Sequence, residues 1–137
     1  MYTEEQYEAF SKRMEEKFPK MFVGQYGGFA VSTGWWPILE TLCANIQSHT
    51  DWKNREGEVV PQVEVHQIKE KFGGLRFYYG GGDEQISGMV RMAEAWADSS
   101  CEECGAVGKR RSGGWIRTLC DVHEAERQAR LKENGNE

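Results

Sequence analysis

The sequence predicts an α+β fold in which helices cover a small antiparallel sheet. Two observations predict it: several segments carry apolar residues at helical spacing, and a glycine-centred hairpin lies between β-rich arms. The chain has 137 residues, the length of one domain, and its hydrophobic fraction of 39% is that of an ordinary folded protein. We therefore expect one hydrophobic core.

The N-terminal part contains two segments with the periodicity of amphipathic helices. The first covers residues 4–18 and ends at Pro19, and its apolar residues recur every three or four positions. The second covers residues 37–49, begins at a proline that a first helical turn tolerates, and has Thr33 as its expected cap. Both helices are assigned to the core.

A β-rich region follows these helices. Residues 59–65 are β-branched and partly alternating, and residues 69–79 form two strand-like arms around Gly73 and Gly74, where we expect a hairpin turn. A third amphipathic helix, capped by Asp83, then extends to about Trp96. This order of elements gives the α+β class.

Periodicity indicates the role of one cysteine in the second helical region and leaves the roles of two neighbouring tryptophans open. Cys43 lies on the apolar face and far in sequence from the other cysteines, so we expect it to be an inert core residue. Trp35 and Trp36 fit either the core or an exposed anchor for a partner, and periodicity does not choose between them.

Composition and charge disfavour several classes of protein. No apolar run approaches the ~20 residues of a membrane helix, and the first residues resemble no export signal. Seventeen basic and 22 acidic residues give a formal charge of −5, which disfavours general coating of DNA or of an anionic membrane. We expect a protein of the cytoplasm that does not bind membranes.

Four residues in the C-terminal part are spaced like the ligands of a zinc site. Cys101 and Cys104 are separated by two residues, Cys120 and His123 by two more, and fifteen residues lie between the pairs. The short spacings let a tight turn aim two ligands at one point, and the insert is long enough for a hairpin that returns to the same ion. The sequence therefore predicts a Cys₃His site for Zn²⁺.

The segments around the four ligands resemble a treble-clef zinc finger. Gly105 permits a metal knuckle, Ser112 to Gly114 form a turn between two short arms, and a charge-rich helix follows Cys120. Three thiolates and one imidazole leave no coordination position for water, so we expect a structural ion and no catalytic residue. We divide the chain into a core over residues 1–99 and a zinc module with the C-terminal helix over residues 100–137, forming one cooperative domain.

The insert between the ligand pairs has the composition of a nucleic-acid contact. It contains four basic residues and one tryptophan, and no acidic residue lies between Gly105 and Leu119. The acidic remainder of the chain argues against this role, so a solvated or protein-contacting hairpin remains open beside it. The candidate nucleic-acid-binding residues are Lys109, Arg110, Arg111, Trp115 and Arg117.

An enzyme is the minority hypothesis. A treble-clef nuclease needs a histidine in the hairpin, and this hairpin contains none. The alternative is a metal-dependent nuclease whose active site lies outside the zinc module. In that case we expect His66, beside Glu64 on a predicted strand, to belong to the active site.

Four stretches of the sequence resemble a group of small hypothetical proteins of bacteriophages and prophages. They are residues 34–39, 67–78, 101–105 and 114–123. The resemblance implies a phage accessory protein made in the bacterial cytoplasm, and such proteins often bind and block a host factor. We therefore expect a zinc-stabilised protein that binds a host protein and inhibits a bacterial defence system. A nucleic-acid-binding factor and a metal-dependent nuclease are the alternatives.

Overall fold

A computed structural model describes residues 2–135 of the chain and shows an α+β architecture with four α-helices in this range. The helices are α1 (Glu4–Lys17), α2 (Trp36–Arg55), α3 (Glu84–Ala97) and α4 (Asp121–Glu133), and a 3₁₀ turn (Thr33–Trp35) precedes α2. The strands are β1 (Phe29–Ala30), β2 (Glu64–Lys71), β3 (Gly74–Gly80), β4 (Lys109–Arg111) and β5 (Arg117–Leu119).

The larger sheet has the strand order β1-β2-β3 and is mixed. The antiparallel β2–β3 hairpin is present as predicted, but its turn is Phe72–Gly73 and not Gly73–Gly74, because Gly74 already pairs with Lys71. The two-residue strand β1 joins β2 in parallel. Strand β2 begins at Glu64, so most of the predicted strand over residues 59–65 is irregular chain. Val60 and Val63 of that stretch are nevertheless buried, which explains its β-branched composition.

The main core lies between the larger sheet and helices α1, α2 and α3. Trp35 is fully buried and Trp36 is 8% exposed, so both tryptophans are core residues. The Trp36 ring stacks on Phe10 of α1 with centroids 4.5 Å apart. Cys43 is fully buried in the same core, as expected.

The helix ends follow local capping chemistry, with one departure from the prediction. Asp83 caps α3 by accepting from the backbone N–H of Ile86 at 3.0 Å, as expected. Thr33 does not cap α2, because it lies in the preceding 3₁₀ turn and its hydroxyl donates to the carbonyl of Glu103 at 3.2 Å. Helix α2 continues to Arg55, beyond the predicted end near His49.

Among residues 2–135, no helix combines the length and the apolar character needed to cross a bilayer.

The C-terminal module is joined to the core through the turn that precedes α2. The backbone N–H of Gly34 donates to the carbonyl of Glu102 at 2.7 Å, and the indole N–H of Trp35 donates to the carbonyl of Ser100 at 2.9 Å. A Cβ atom at Gly34 would overlap the carbonyl oxygen of Cys101. Only glycine therefore lets the two backbones approach this closely.

Replacing Gly34 by alanine tests this junction. Gly34→Ala should lower the free energy of unfolding by about 1–3 kcal/mol, because the added methyl group forces the two backbones apart. Gly88→Ala is the matched control, since Gly88 lies inside α3 with nothing within 4 Å of its Cβ position. That change should raise stability by about 0.5–1 kcal/mol. Urea unfolding followed by circular dichroism measures both, and equal stability of the two variants would contradict the close approach.

Candidate metal centre

The four predicted ligands come from two backbone elements that the chain brings together. Cys101 and Cys104 lie in a knuckle directly after α3, where the N–H of Cys101 donates to Ala106 at 2.7 Å and the N–H of Gly105 to Cys101 at 2.9 Å. Gly105 has a φ of 80°, the left-handed conformation that the sequence led us to expect. Cys120 is the N-cap of α4, and His123 lies in its first turn.

The ligand atoms of Cys101, Cys104, Cys120 and His123 all lie within 4.8 Å of one another, so together they could hold a metal ion. The sulfurs of Cys104 and Cys120 are 3.8 Å apart, and Nδ1 of His123 is 3.3 Å from the Cys120 sulfur and 3.5 Å from that of Cys101. A tetrahedron with metal–sulfur bonds of about 2.3 Å places its sulfurs about 3.8 Å apart. A disulfide bond holds its two sulfur atoms about 2.05 Å apart, so the sulfurs of this cluster are too far apart to be bonded. All four cysteines are free.

Local electrostatics favour a thiolate at Cys120. The backbone N–H of His123 donates to the Cys120 sulfur at 3.4 Å and lowers the pKa of that thiol. The sulfur also lies at the N-terminus of α4, where the helix dipole stabilises negative charge. A deprotonated sulfur is the form that binds a metal ion.

The site is partly enclosed by the protein. Cys101 and Cys120 are buried, His123 is half-buried, and Cys104 is exposed. Four protein ligand atoms would fill the tetrahedral shell of a bound ion.

Glu102, inside the knuckle, ties the site to β5. Its backbone N–H donates to the Thr118 carbonyl at 2.9 Å, and its carboxylate accepts from the Thr118 N–H at 2.7 Å. Burial raises the pKa of the Glu102 carboxyl, although the Thr118 bond and nearby Arg117 oppose that effect. The knuckle and the hairpin therefore form one hydrogen-bonded unit.

The three candidate arginines of the β4–β5 hairpin are paired within the protein. Arg110 donates to Thr118 at 2.7 Å and to Asp98 at 2.8 Å. Arg111 donates to the Leu119 carbonyl at 3.0 Å and to a carboxylate oxygen of Asp121 at 2.8 Å.

The third of these arginines, Arg117, is paired beside the metal knuckle. It lies 2.8 Å from a carboxylate oxygen of Glu103 and 3.5 Å from one of Glu102. The other two candidates, Lys109 and Trp115, are exposed. The arginines of the hairpin thus largely stabilise the fold of the hairpin and its contacts with neighbouring segments.

Two residues of this region were not anticipated from the sequence. Arg127 of α4 is 7% exposed and donates to the carbonyls of Trp115 at 2.8 Å and Ser112 at 3.0 Å, which fixes the β4–β5 turn. Phe72, in the β2–β3 turn, is 66% exposed and has a φ of 53°. Left-handed backbone is uncommon for a bulky residue, and an exposed aromatic there has no role in the core.

The remaining histidines lie away from the centre. His66 is exposed where the β2–β3 register shifts, and His49 is buried, with Nε2 at 2.7 Å from a carboxylate oxygen of Asp83. Within residues 2–135, the cluster of metal-ligating side chains contains neither His66 nor His49.

Comparison of the chain with protein-family models, with curated proteins and with solved structures finds no match.

Metal content tests the centre directly. The purified, reduced protein should contain about one divalent ion per chain, because four ligand atoms converge on one point. Cys104→Ser should remove most of that ion and lower the melting temperature, since a hydroxyl is a poor replacement for a thiolate ligand. Elemental analysis and thermal unfolding measure the two effects.

Cys43→Ala is the matched control, because Cys43 is a buried cysteine outside the cluster. It should keep the ion while it loses some core packing. A folded protein without metal, or equal metal loss in both variants, would contradict the assignment.

Proposed function

We propose that the metal is Zn²⁺ and that its role is structural. Three sulfurs and one imidazole nitrogen are a donor set that zinc prefers, and the tetrahedral spacing suits an ion without geometric demands of its own. The thiolates and the neutral imidazole give a site charge of about −1. Zinc would hold the knuckle against the start of α4, where apolar packing is limited to Cys101, Leu119 and Cys120.

We further propose that the chain is a binding protein whose contact surface is formed by the β2–β3 and β4–β5 turns. The observation that carries this proposal is the exposure of two large aromatic residues on one cleft. Phe72 is 66% exposed and Trp115 is 72% exposed, and both line a cavity of about 310 Å³ together with Ile116. Exposed aromatics around a concave site are typical of contact centres in protein interfaces.

Hydrogen bonds join both turns to neighbouring parts of the protein, which suits a preformed binding surface. The N–H of Gly73 donates to the Glu70 carboxylate at 2.6 Å, and the Gly73 carbonyl accepts from the Thr118 hydroxyl at 2.6 Å. Arg127 fixes the turn that carries Trp115. Rigid aromatic anchors lose little conformational entropy on binding, and this supports a role in partner recognition.

The identity of the partner class rests on the resemblance to phage proteins. We propose a host protein of the bacterial cytoplasm, with inhibition of a defence system as the outcome of binding. The exposed aromatic surface supports a protein partner, and the phage setting comes from the resemblance alone.

A nucleic-acid partner is the second candidate. The exposed Trp115 offers a stacking face and Lys109 a positive charge in the same hairpin. The pairing of the three arginines with internal acceptors weakens this candidate, because phosphate binding needs available donors.

Affinity capture with matched variants tests the protein-binding function. The wild-type protein should enrich one specific host protein, and Trp115→Ala and Phe72→Ser should each reduce that enrichment about tenfold, because interface aromatics carry much of the binding energy. Trp52→Ala is the control, since Trp52 is 52% exposed on α2, outside the cleft. Mass spectrometry of the captured protein gives the readout, and equal capture by all variants would reject the surface.

The salt dependence of oligonucleotide binding distinguishes the nucleic-acid candidate from the protein-binding function. If the hairpin binds nucleic acid, affinity for a random oligonucleotide should fall steeply between 50 and 200 mM salt, and Lys109→Ala should reduce the salt slope by about 1. Fluorescence anisotropy measures both. We expect no binding at physiological salt, and tight, salt-sensitive binding would favour the alternative.

A further inference from the structure

The outer face of the β2–β3 hairpin carries a cluster of positive side chains. Lys69 lies directly opposite Arg76 in the antiparallel register, and Lys71 follows two positions further along β2. Because side chains alternate along a strand, these three residues lie on one face of the sheet, opposite the face that packs on the core. The pair Gln67 and Tyr78 continues the same surface, which we call the basic face.

The positive charges of the basic face have no internal counter-charge. Like charges directly opposite each other destabilise a pair of strands. In the described range of the chain, the ion pairs involve other cations than these three. Glu94 and Asp98 line a cavity with Arg76, but Glu94 accepts from the backbone N–H of Phe77 at 3.0 Å and Asp98 from Arg110 at 2.8 Å. A repulsion that the fold leaves uncompensated is typical of a functional position.

A glycine brings a further cation to the basic face. Guanidinium nitrogens of Arg76 and Arg110 lie 3.6 and 3.8 Å from the position that a Cβ atom of Gly74 would occupy. The ion pair with Asp98 compensates the charge of Arg110 alone. The basic face is therefore a positive surface on a chain whose formal charge is −5.

The basic face is continuous with the aromatic cleft of the proposed binding surface. Lys71 lines that cleft together with Phe72 and Trp115, and its ammonium lies 5.8 Å from the centroid of the Phe72 ring. Tyr78, on the basic face itself, is 44% exposed, and the ammonium of Lys69 lies 5.9 Å from the centroid of its ring. One surface thus combines exposed aromatic side chains with uncompensated cations, a composition that suits a protein interface.

An acidic protein segment fits this surface better than a nucleic acid. Three uncompensated cations match a few carboxylates, whereas tight binding of nucleic acid takes on the order of 6–10 phosphate contacts. Lys69 and Lys71 are two positions apart on a strand, about 6.8 Å, which is also the spacing of alternate side chains on an extended partner chain. The guanidinium of Arg76 can donate two parallel hydrogen bonds to one carboxylate.

We propose that the basic face binds an acidic segment of the partner protein, with carboxylates of that segment against Lys69, Lys71 and Arg76. This inference rests on the proposed protein-binding function and names the chemistry of the part of the partner that lies beside the aromatic cleft. Bound carboxylates would supply the counter-charge that the pair of Lys69 and Arg76 lacks in the free protein.

A capped hexapeptide, acetyl-(Glu-Thr)₃-amide, tests the basic face without knowledge of the partner. Titration at low salt should shift the backbone N–H signals of Lys69, Lys71 and Arg76 in ¹H–¹⁵N spectra, with a dissociation constant in the millimolar range. The uncharged peptide acetyl-(Gln-Thr)₃-amide should bind about tenfold more weakly. Equal binding of the two peptides, or shifts confined to other basic positions such as Arg55 and Lys132, overturns the proposal.

Removal of one charge separates a binding role from a structural one. Arg76→Gln should weaken the acidic peptide about tenfold, and it should raise the melting temperature of the free protein by about 1–3 °C because it removes the like-charge pair. Lys12→Gln removes the same charge from an exposed position on α1 and should leave peptide binding unchanged. Equal peptide binding by the two variants, or a lower melting temperature of Arg76→Gln, contradicts the uncompensated repulsion on which the proposal depends.

A short single-stranded oligonucleotide distinguishes the other class of acidic partner. At physiological salt it should bind no more tightly than the acidic peptide, because the basic face offers few phosphate contacts. Tighter binding of the oligonucleotide that Arg76→Gln weakens would overturn the acidic segment in favour of a nucleic acid.

The failure of this inference is distinguishable from the failure of the proposed function. Capture of a host protein that needs Trp115 but tolerates Arg76→Gln would keep the binding function and reject the acidic segment. Capture unaffected by both Trp115→Ala and Arg76→Gln would reject both.

Discussion

The close contact between the turn before α2 and the knuckle of the C-terminal module determines how the two parts of the chain are arranged. Gly34 donates to the Glu102 carbonyl, and Trp35, fully buried in the main core, donates to the Ser100 carbonyl. Both acceptors flank the first metal ligand. The backbone that presents Cys101 is therefore positioned by the core and would be held by a bound ion as well, which is the physical basis for expecting one cooperative unit.

The same knuckle connects the metal centre to the proposed binding surface. Glu102 hydrogen-bonds to Thr118 on β5, and the Thr118 hydroxyl donates to the Gly73 carbonyl in the turn beside Phe72. The ion would thus stabilise, through two hydrogen-bonded steps, a turn that contributes no metal ligand. Loss of metal should disturb the cleft for this reason, even though no aromatic residue of the cleft belongs to the ligand set.

Local patterns in the sequence predicted most elements, and contacts between distant residues account for what they did not predict. The ligand set follows from two short spacings, and the helices follow from periodicity and from the Asp83 cap. The parallel pairing of β1 joins residues 29–30 to residues 68–69, which no local pattern encodes. In the sequence, Arg127 is likewise one of several charged residues on a polar helix. Only the fold shows that it lies under the β4–β5 turn and donates to a carbonyl of that turn.

The basic hairpin shows why composition alone does not define a binding surface. A run of positive residues without acidic neighbours favours phosphate contact when the chain is considered locally. In the fold, Asp98 and Glu103 from outside the hairpin meet two of its arginines, while Glu70 from β2 lines the cleft beside Trp115. The pairing directs part of the positive charge into the protein, and the exposed face of Trp115 lies among both acidic and basic side chains. The composition of one segment therefore does not define the charge of the surface to which it belongs, because the fold adds acidic and basic side chains from other segments.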